Sequence, residues 1–141
     1  MTKKEIKAPR VKLPPKESLN EVCNHLGQEF QTEQWVPQSI ETIFNFFRNS
    51  KNLEILTPSF LNFKILSQSI GEMDTGFLLN YRLSLHGIPI RWQSKILDWK
   101  PPVRFSDEQT RGPYAHWKHT HEFFEEDGGT VIRDRVVYRL P

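Results

Sequence analysis

A chain of 141 residues is long enough to form one domain with a real interior. Ten Phe, four Trp and three Tyr bring the aromatic content to 12%, so the core is built from large side chains. The net charge of +2 combines +5 on residues 1–16 with −3 on the other 125, and a slightly acidic body makes a poor surface for duplex nucleic acid.

Residues 1–16 carry Lys3, Lys4, Lys7, Arg10, Lys12 and Lys16 among Pro9, Pro14 and Pro15, a composition that reads as a solvated, disordered arm. Its charge allows a weak contact with an anionic surface. No apolar run follows it, so it is not a secretory signal, and no stretch approaches the ~20 apolar residues that span a membrane. Residues 17–141 are expected to form a single domain. The one cysteine, Cys23, cannot close an internal disulfide, which points to a reducing, cytoplasmic compartment.

"SLNEVCNHLG" sets Ser18 and Glu21 at capping-box spacing and ends on Gly27. Leu19, Val22, Cys23 and Leu26 share one stripe, so a short helix is expected over 18–26. "QEFQTEQWV" reads as a strand. "PQSIETIFNFFRN" starts a helix at Pro37, with Ile40, Ile43, Phe44 and Phe47 on one face. A further turn or two in "KNLEILTP" stops at Pro58. The period then changes from helical to alternating. "FLNFKILSQ" is expected to be a strand, followed by a turn region at Gly71–Gly76. "GFLLNYRLSL" aligns Phe77, Leu79, Tyr81, Leu83 and Leu85, and "IPIRWQSKILDW" aligns Ile90, Trp92, Ser94 and Ile96. "VRFSDEQ", "YAHWKHTHEFF" and "TVIRDRVVYRL" complete a run of antiparallel strands, the last with Ile132, Asp134, Val136, Tyr138 and Leu140 on one side. Arg82, Arg91, Arg133, Arg135 and Arg139 fall on the opposite, solvated side. One-sided strands need a cover, so the class is α+β.

"WVPQSIETIFNFFRNSKNLEILTPSFLNFKI", "YRLSLHGIPIRWQSKI", "DEQTRGPYAHWKHTHEF" and "DRVVYRLP" resemble the START-like SRPBCC superfamily over about residues 28–141. The branch they are most similar to is the polyketide cyclase/dehydrase-like, cell-division-inhibitor-like one. The resemblance implies a helix-grip fold, a curved antiparallel sheet around a long C-terminal helix and a hydrophobic cavity. It also implies lipid, polyketide, hormone or quinone ligands, which some relatives cyclise or dehydrate. The family pattern continues past "LP" into that helix and this chain ends at Pro141, so the expectation is a sheet without it and a more open groove.

Alternation places Trp117, His119, His121 and Phe123 on the inner face and His116, Lys118, Thr120 and Glu122 outside. The tightest register across Gly112-Pro113 sets Asp107 opposite His119 and Phe105 opposite His121. A two-residue Asp127-Gly128 hairpin sets Glu126 opposite Gly129, and therefore His121 opposite Asp134. Two imidazole–carboxylate pairs, His119 with Asp107 and His121 with Asp134, are thus expected side by side.

Such pairs can brace a sheet, orient a ligand, or serve as acid and base, with either histidine acting and either aspartate orienting it. Zinc is the rival, since His-X-His shares a face, but a fourth ligand is lacking and the carboxylates suit the role of ring partners. "HWKH" interleaves base and aromatic as single-strand platforms do, yet Trp117 points inward. The reading is therefore a binder of a small hydrophobic or aromatic molecule, of lipid, polyketide or quinone type, with no metal and no cofactor. Its expected contacts add Tyr81, Trp92, Ser94 and Gln109 to the His–Asp group, with Trp117 and Tyr138. The alternatives are a cyclase or dehydratase, or a module holding a partner's helix in the groove. Dimerisation through the open face is expected to cover it.

Overall fold

The computed structural model describes residues 27–141. The basic arm of residues 1–16, Cys23 and the helix expected over 18–26 lie outside the described residues. In chain order the elements are β1 (Gln28–Val36), α1 (Ile40–Phe47), α2 (Asn52–Leu56), a 3-10 turn (Ser59–Leu61), and β2 (Lys64–Gln68). They continue as β3 (Leu78–Leu85), β4 (Ile88–Lys100), β5 (Arg104–Arg111), β6 (His116–Glu126) and β7 (Gly129–Arg139).

The seven strands form one antiparallel sheet in the order β1-β7-β6-β5-β4-β3-β2. β2 to β7 are sequential neighbours, and β7 returns beside β1. The two edges are therefore consecutive in sequence, and the segment between Val36 and Lys64 must cross the sheet. That crossing carries α1 and α2 over one face.

α1 begins at Ile40, later than Pro37 alone would place it, because Ser39 caps it by accepting from the Thr42 amide at 3.2 Å. It ends where the Arg48 N–H reaches the Phe44 carbonyl. The strand expected over "FLNFKILSQ" is shorter than its alternation implied. Phe60 and Leu61 lie in the 3-10 turn after Pro58, and Asn62 takes a left-handed φ of 46°, so pairing starts only at Lys64.

The core lies under α1, where Ile40 and Phe44 pack on Leu79, Ile96, Phe105, Phe123 and Ile132. Phe44 is 1% exposed and meets Trp99, Phe105 and Phe123 edge-on at 5.1, 5.9 and 5.5 Å. On the opposite face, two of the arginines read as solvated are paired: Arg133 Nε donates to buried Glu33 at 2.9 Å, and Arg135 Nε lies 2.7 Å from Glu29.

Candidate functional site

Both hairpin registers around the His–Asp group are the expected ones. Phe105 pairs with His121, Asp107 with His119, His121 with Asp134, and Glu126 with Gly129 across the Asp127-Gly128 turn. Asp127 and Gly128 both take positive φ, which suits a two-residue turn matching the strand twist. All four polar side chains therefore lie on the face that α1 covers.

The hydrogen bonds within the group run diagonally, a correction to the directly opposed pairs. His119 Nε2 lies 2.9 Å from Asp134 Oδ1, and His121 Nε2 lies 3.0 Å from Asp107 Oδ2. The opposed contacts are longer, 3.2 Å from His121 Nδ1 to Asp134 and 4.0 Å from His119 Nδ1 to Asp107. Side chains lean along their strands in a twisted sheet, so diagonal neighbours come within reach. The 3.2 Å contact is close enough for an ion pair, yet its alignment leaves Nδ1 without a hydrogen-bond acceptor. The result is a closed box: two imidazoles stacked at 3.8 Å and 27°, flanked by two carboxylates.

Exposure grades across the box. His121 is 8% exposed in its side chain, stacked on Phe105 at 4.3 Å and touched by Phe47 of α1. Asp107, His119 and Asp134 rise to 19%, 25% and 32%, so the box sits where the helix cover ends. Burial works to lower the His121 pKa, but the carboxylates of Asp107 and Asp134 outweigh it and push it up to about 9. Burial likewise opposes ionisation of Asp134, and hydrogen bonds and charge from His119 and His121 prevail, holding it well below the usual carboxylate range.

Asp107, His119 and His121 each bring a potential ligand atom within 4.8 Å of the others. Stacked rings aim their in-plane lone pairs along near-parallel lines, and two of the ring nitrogens already hydrogen-bond to carboxylates. The arrangement favours hydrogen bonding over coordination of one ion.

Beyond the box the same face continues as a band of aromatics. Phe63 contacts Tyr81 at 4.7 Å, Tyr81 stacks on Trp92 at 6.0 Å, and Trp92 meets Trp117 at 5.3 Å. Trp117 in turn meets Tyr138 at 6.0 Å. Ser94, 2% exposed, accepts from Trp92 Nε1 and contacts the Tyr81 hydroxyl, both at 3.1 Å. Burial, reinforced by the Asp107 charge, pushes the Tyr81 phenol above its ordinary range. Tyr138 directs its hydroxyl to Gln28 of β1 at 2.5 Å.

Two roles differ from the sequence reading. Gln109 is occupied in the β5–β6 loop: it donates to the Tyr114 carbonyl at 2.7 Å and accepts the Tyr114 amide at 3.1 Å. That clamp delivers Tyr114 to the band, where it meets Trp92, Trp117 and Tyr138 at 5.6, 4.9 and 5.9 Å. Tyr114 went unnoticed because strand alternation says nothing about a loop residue; the Gly112-Pro113 turn beside Gln109 was the available signal.

Sequence reading also missed a separate cavity of about 490 Å³ between the end of α1 and the β2–β3 loop. Arg48, Ser50, Gln68, Glu72, Asp74 and Trp99 are among its walls, and it contains none of the box residues. The box and band lie outside it, with Trp92 and His121 buried and Tyr81, Trp117 and Tyr138 half-buried.

No family model matches the chain. No curated protein matches it either. Solved structures do: protein CV1439 from Chromobacterium violaceum superposes with a TM-score of 0.67 at 13% identity, over 79% of this chain and 80% of that one. The ginseng major latex-like protein 151 from Panax ginseng gives 0.63 at 9%, over 82% and 80%. Protein Ms6760 from Mycobacterium smegmatis gives 0.62 at 16%, over 78% and 71%. At these identities the likeness is one of fold. The chain shares with these structures the architecture of one antiparallel sheet crossed by helices. Among the described residues, no helix is long and apolar enough to cross a membrane.

Proposed function

We propose that the chain binds a small hydrophobic or aromatic molecule on the inner face of its sheet, beyond the cover of α1. The observation that carries this is the aromatic band ending at a polar box: Tyr81, Trp92, Trp117 and Tyr138 supply apolar wall, and His119 and Asp134 are the accessible polar groups beside it. The polyketide cyclase/dehydrase-like branch fits this reading, with ligands of lipid, polyketide or quinone type. A cytoplasmic location fits the single Cys23, and one domain spanning residues 17–141 fits the length of the chain.

Native mass spectrometry of protein purified without added ligand tests the reading. Retained small molecules, lost on Trp117→Ala, are the expected result. A mass equal to the bare chain, with no binding from a panel of aromatic compounds, would overturn it.

A second reading, a cyclase or dehydratase, draws on the box itself, since a buried imidazole held between carboxylates is the equipment of acid–base chemistry. The two separate on His121→Ala: a binder loses affinity, whereas an enzyme loses rate while still binding. Self-association is a third use of the face, because Phe30, opposite Val136 on β7, is 46% exposed there. Sedimentation that depends on concentration and is suppressed by Phe30→Ser would favour it.

A further inference from the structure

Donors and acceptors on the floor of the inner face do not balance. Trp92 Nε1 donates to Ser94 Oγ, and the Tyr81 hydroxyl shares the second contact with that oxygen. Whichever hydroxyl donates across it, one O–H hydrogen of the pair is left without an acceptor among the described residues. Ser94 is 2% exposed and Tyr81 only partly buried. The lower-cost arrangement has Ser94 donating to Tyr81 and leaves the free hydrogen on the phenol, the less buried of the two groups.

The complementary deficit lies on Asp107. Its Oδ2 takes the hydrogen bond from His121 Nε2 at 3.0 Å, while Oδ1 has no hydrogen-bond partner among the described residues. Asp107 stands opposite Ile96 on β4, the next residue on the same face after Ser94, whose hydroxyl contacts Tyr81 at 3.1 Å. One free donor and one free acceptor thus stand beside the aromatic wall of Trp92 and Trp117.

We propose that Tyr81 and Asp107 recognise a neutral hydroxyl group, phenolic or enolic, on a planar ligand. The Tyr81 O–H donates to the ligand oxygen, and Asp107 Oδ1 accepts the ligand's own hydrogen. A carbonyl satisfies only the first contact. A carboxylate satisfies neither without meeting the charge on Asp107, so simple fatty acids are disfavoured. The assignment rests on the ligand-binding reading above and narrows it to hydroxylated aromatic or enolic compounds.

Calorimetric titration of the full chain with naphthalene, 2-naphthol and 2-naphthoate at neutral pH decides it. The hydroxyl is expected to tighten binding at least about tenfold over the bare hydrocarbon, a ratio set by pairing buried polar groups. The carboxylate is expected to give no gain. Tyr81→Phe and Asp107→Asn should each collapse the naphthol-to-naphthalene ratio toward one. Should Asp107→Asn fail to fold, the Tyr81→Phe ratio, at nearly unchanged volume, is decisive. Naphthol and naphthalene binding equally, or a ratio that survives Tyr81→Phe, overturns the hydroxyl assignment and leaves the groove reading standing. Failure of all three compounds to bind overturns both.

Discussion

His121 is the residue around which the box is organised, and its charge state has a measurable signature. Its pKa is pushed up to about 9 from an ordinary 6.5. A folded-state pKa above the unfolded one stabilises fully below 6.5, and the contribution fades as pH rises through about 9. Asp134, held below its ordinary 3.8, acts in the opposite sense: its contribution is present above that value and is lost as pH falls. NMR titration of the His121 ring should give a midpoint near 9, moved toward 6.5 by Asp107→Asn. Melting should occur at a lower temperature at about pH 9.5 than at about pH 6, by linkage. A midpoint near 6.5 in the native protein would remove the imidazolium from the account. Phe44 offers a contrasting, apolar case. At 1% exposure among Trp99, Phe105 and Phe123, its truncation to Ala should cost about 3–5 kcal/mol in denaturant unfolding.

At the scale of elements, the β6–β7 hairpin holds the site in register, and Gly129 is its tightest point. A Cβ there would collide with the Val36 carbonyl oxygen and come within 2.7 Å of the Trp35 ring on β1. Gly129→Ala should therefore destabilise the fold by about 1–3 kcal/mol, as overpacking does, read as a lower denaturation midpoint. The register of this hairpin was legible because Asp127-Gly128 dictates a two-residue turn and side-chain alternation then fixes the face. The crossed bonding of the box was not, because alternation specifies a face and not the lean of a side chain along its strand. The same limit hid the Gln109–Tyr114 clamp, which depends on loop conformation. In "FLNFKILSQ" a local event prevailed over pattern: Pro58 and the left-handed Asn62 place a 3-10 turn where alternation alone reads as strand.

For the whole molecule, the consequence of topology is a sheet that α1 covers only in part among the described residues. Edge strands consecutive in sequence send α1 across the inner face, and α1 is only 8 residues, about 12 Å at 1.5 Å per residue. It covers Phe105, Phe123 and Ile132 and stops at His121, leaving the aromatic band beyond it. The sequence pattern conveyed the sheet and its inward aromatics, but not where the cover would end, since that depends on the angle at which α1 crosses. The four tryptophans mark separate regions of the molecule. Trp92 and Trp117 line the band, Trp99 borders the polar cavity, and Trp35 donates its indole hydrogen to the Glu126 carbonyl at 2.8 Å. Following the four indole N–H signals by NMR while naphthalene is added is the most direct test of the binding account. The Trp92 and Trp117 signals should shift while those of Trp35 and Trp99 stay in place. A shift of Trp99 alone would move the site to the cavity beside α1, and four unmoved signals would contradict the account outright.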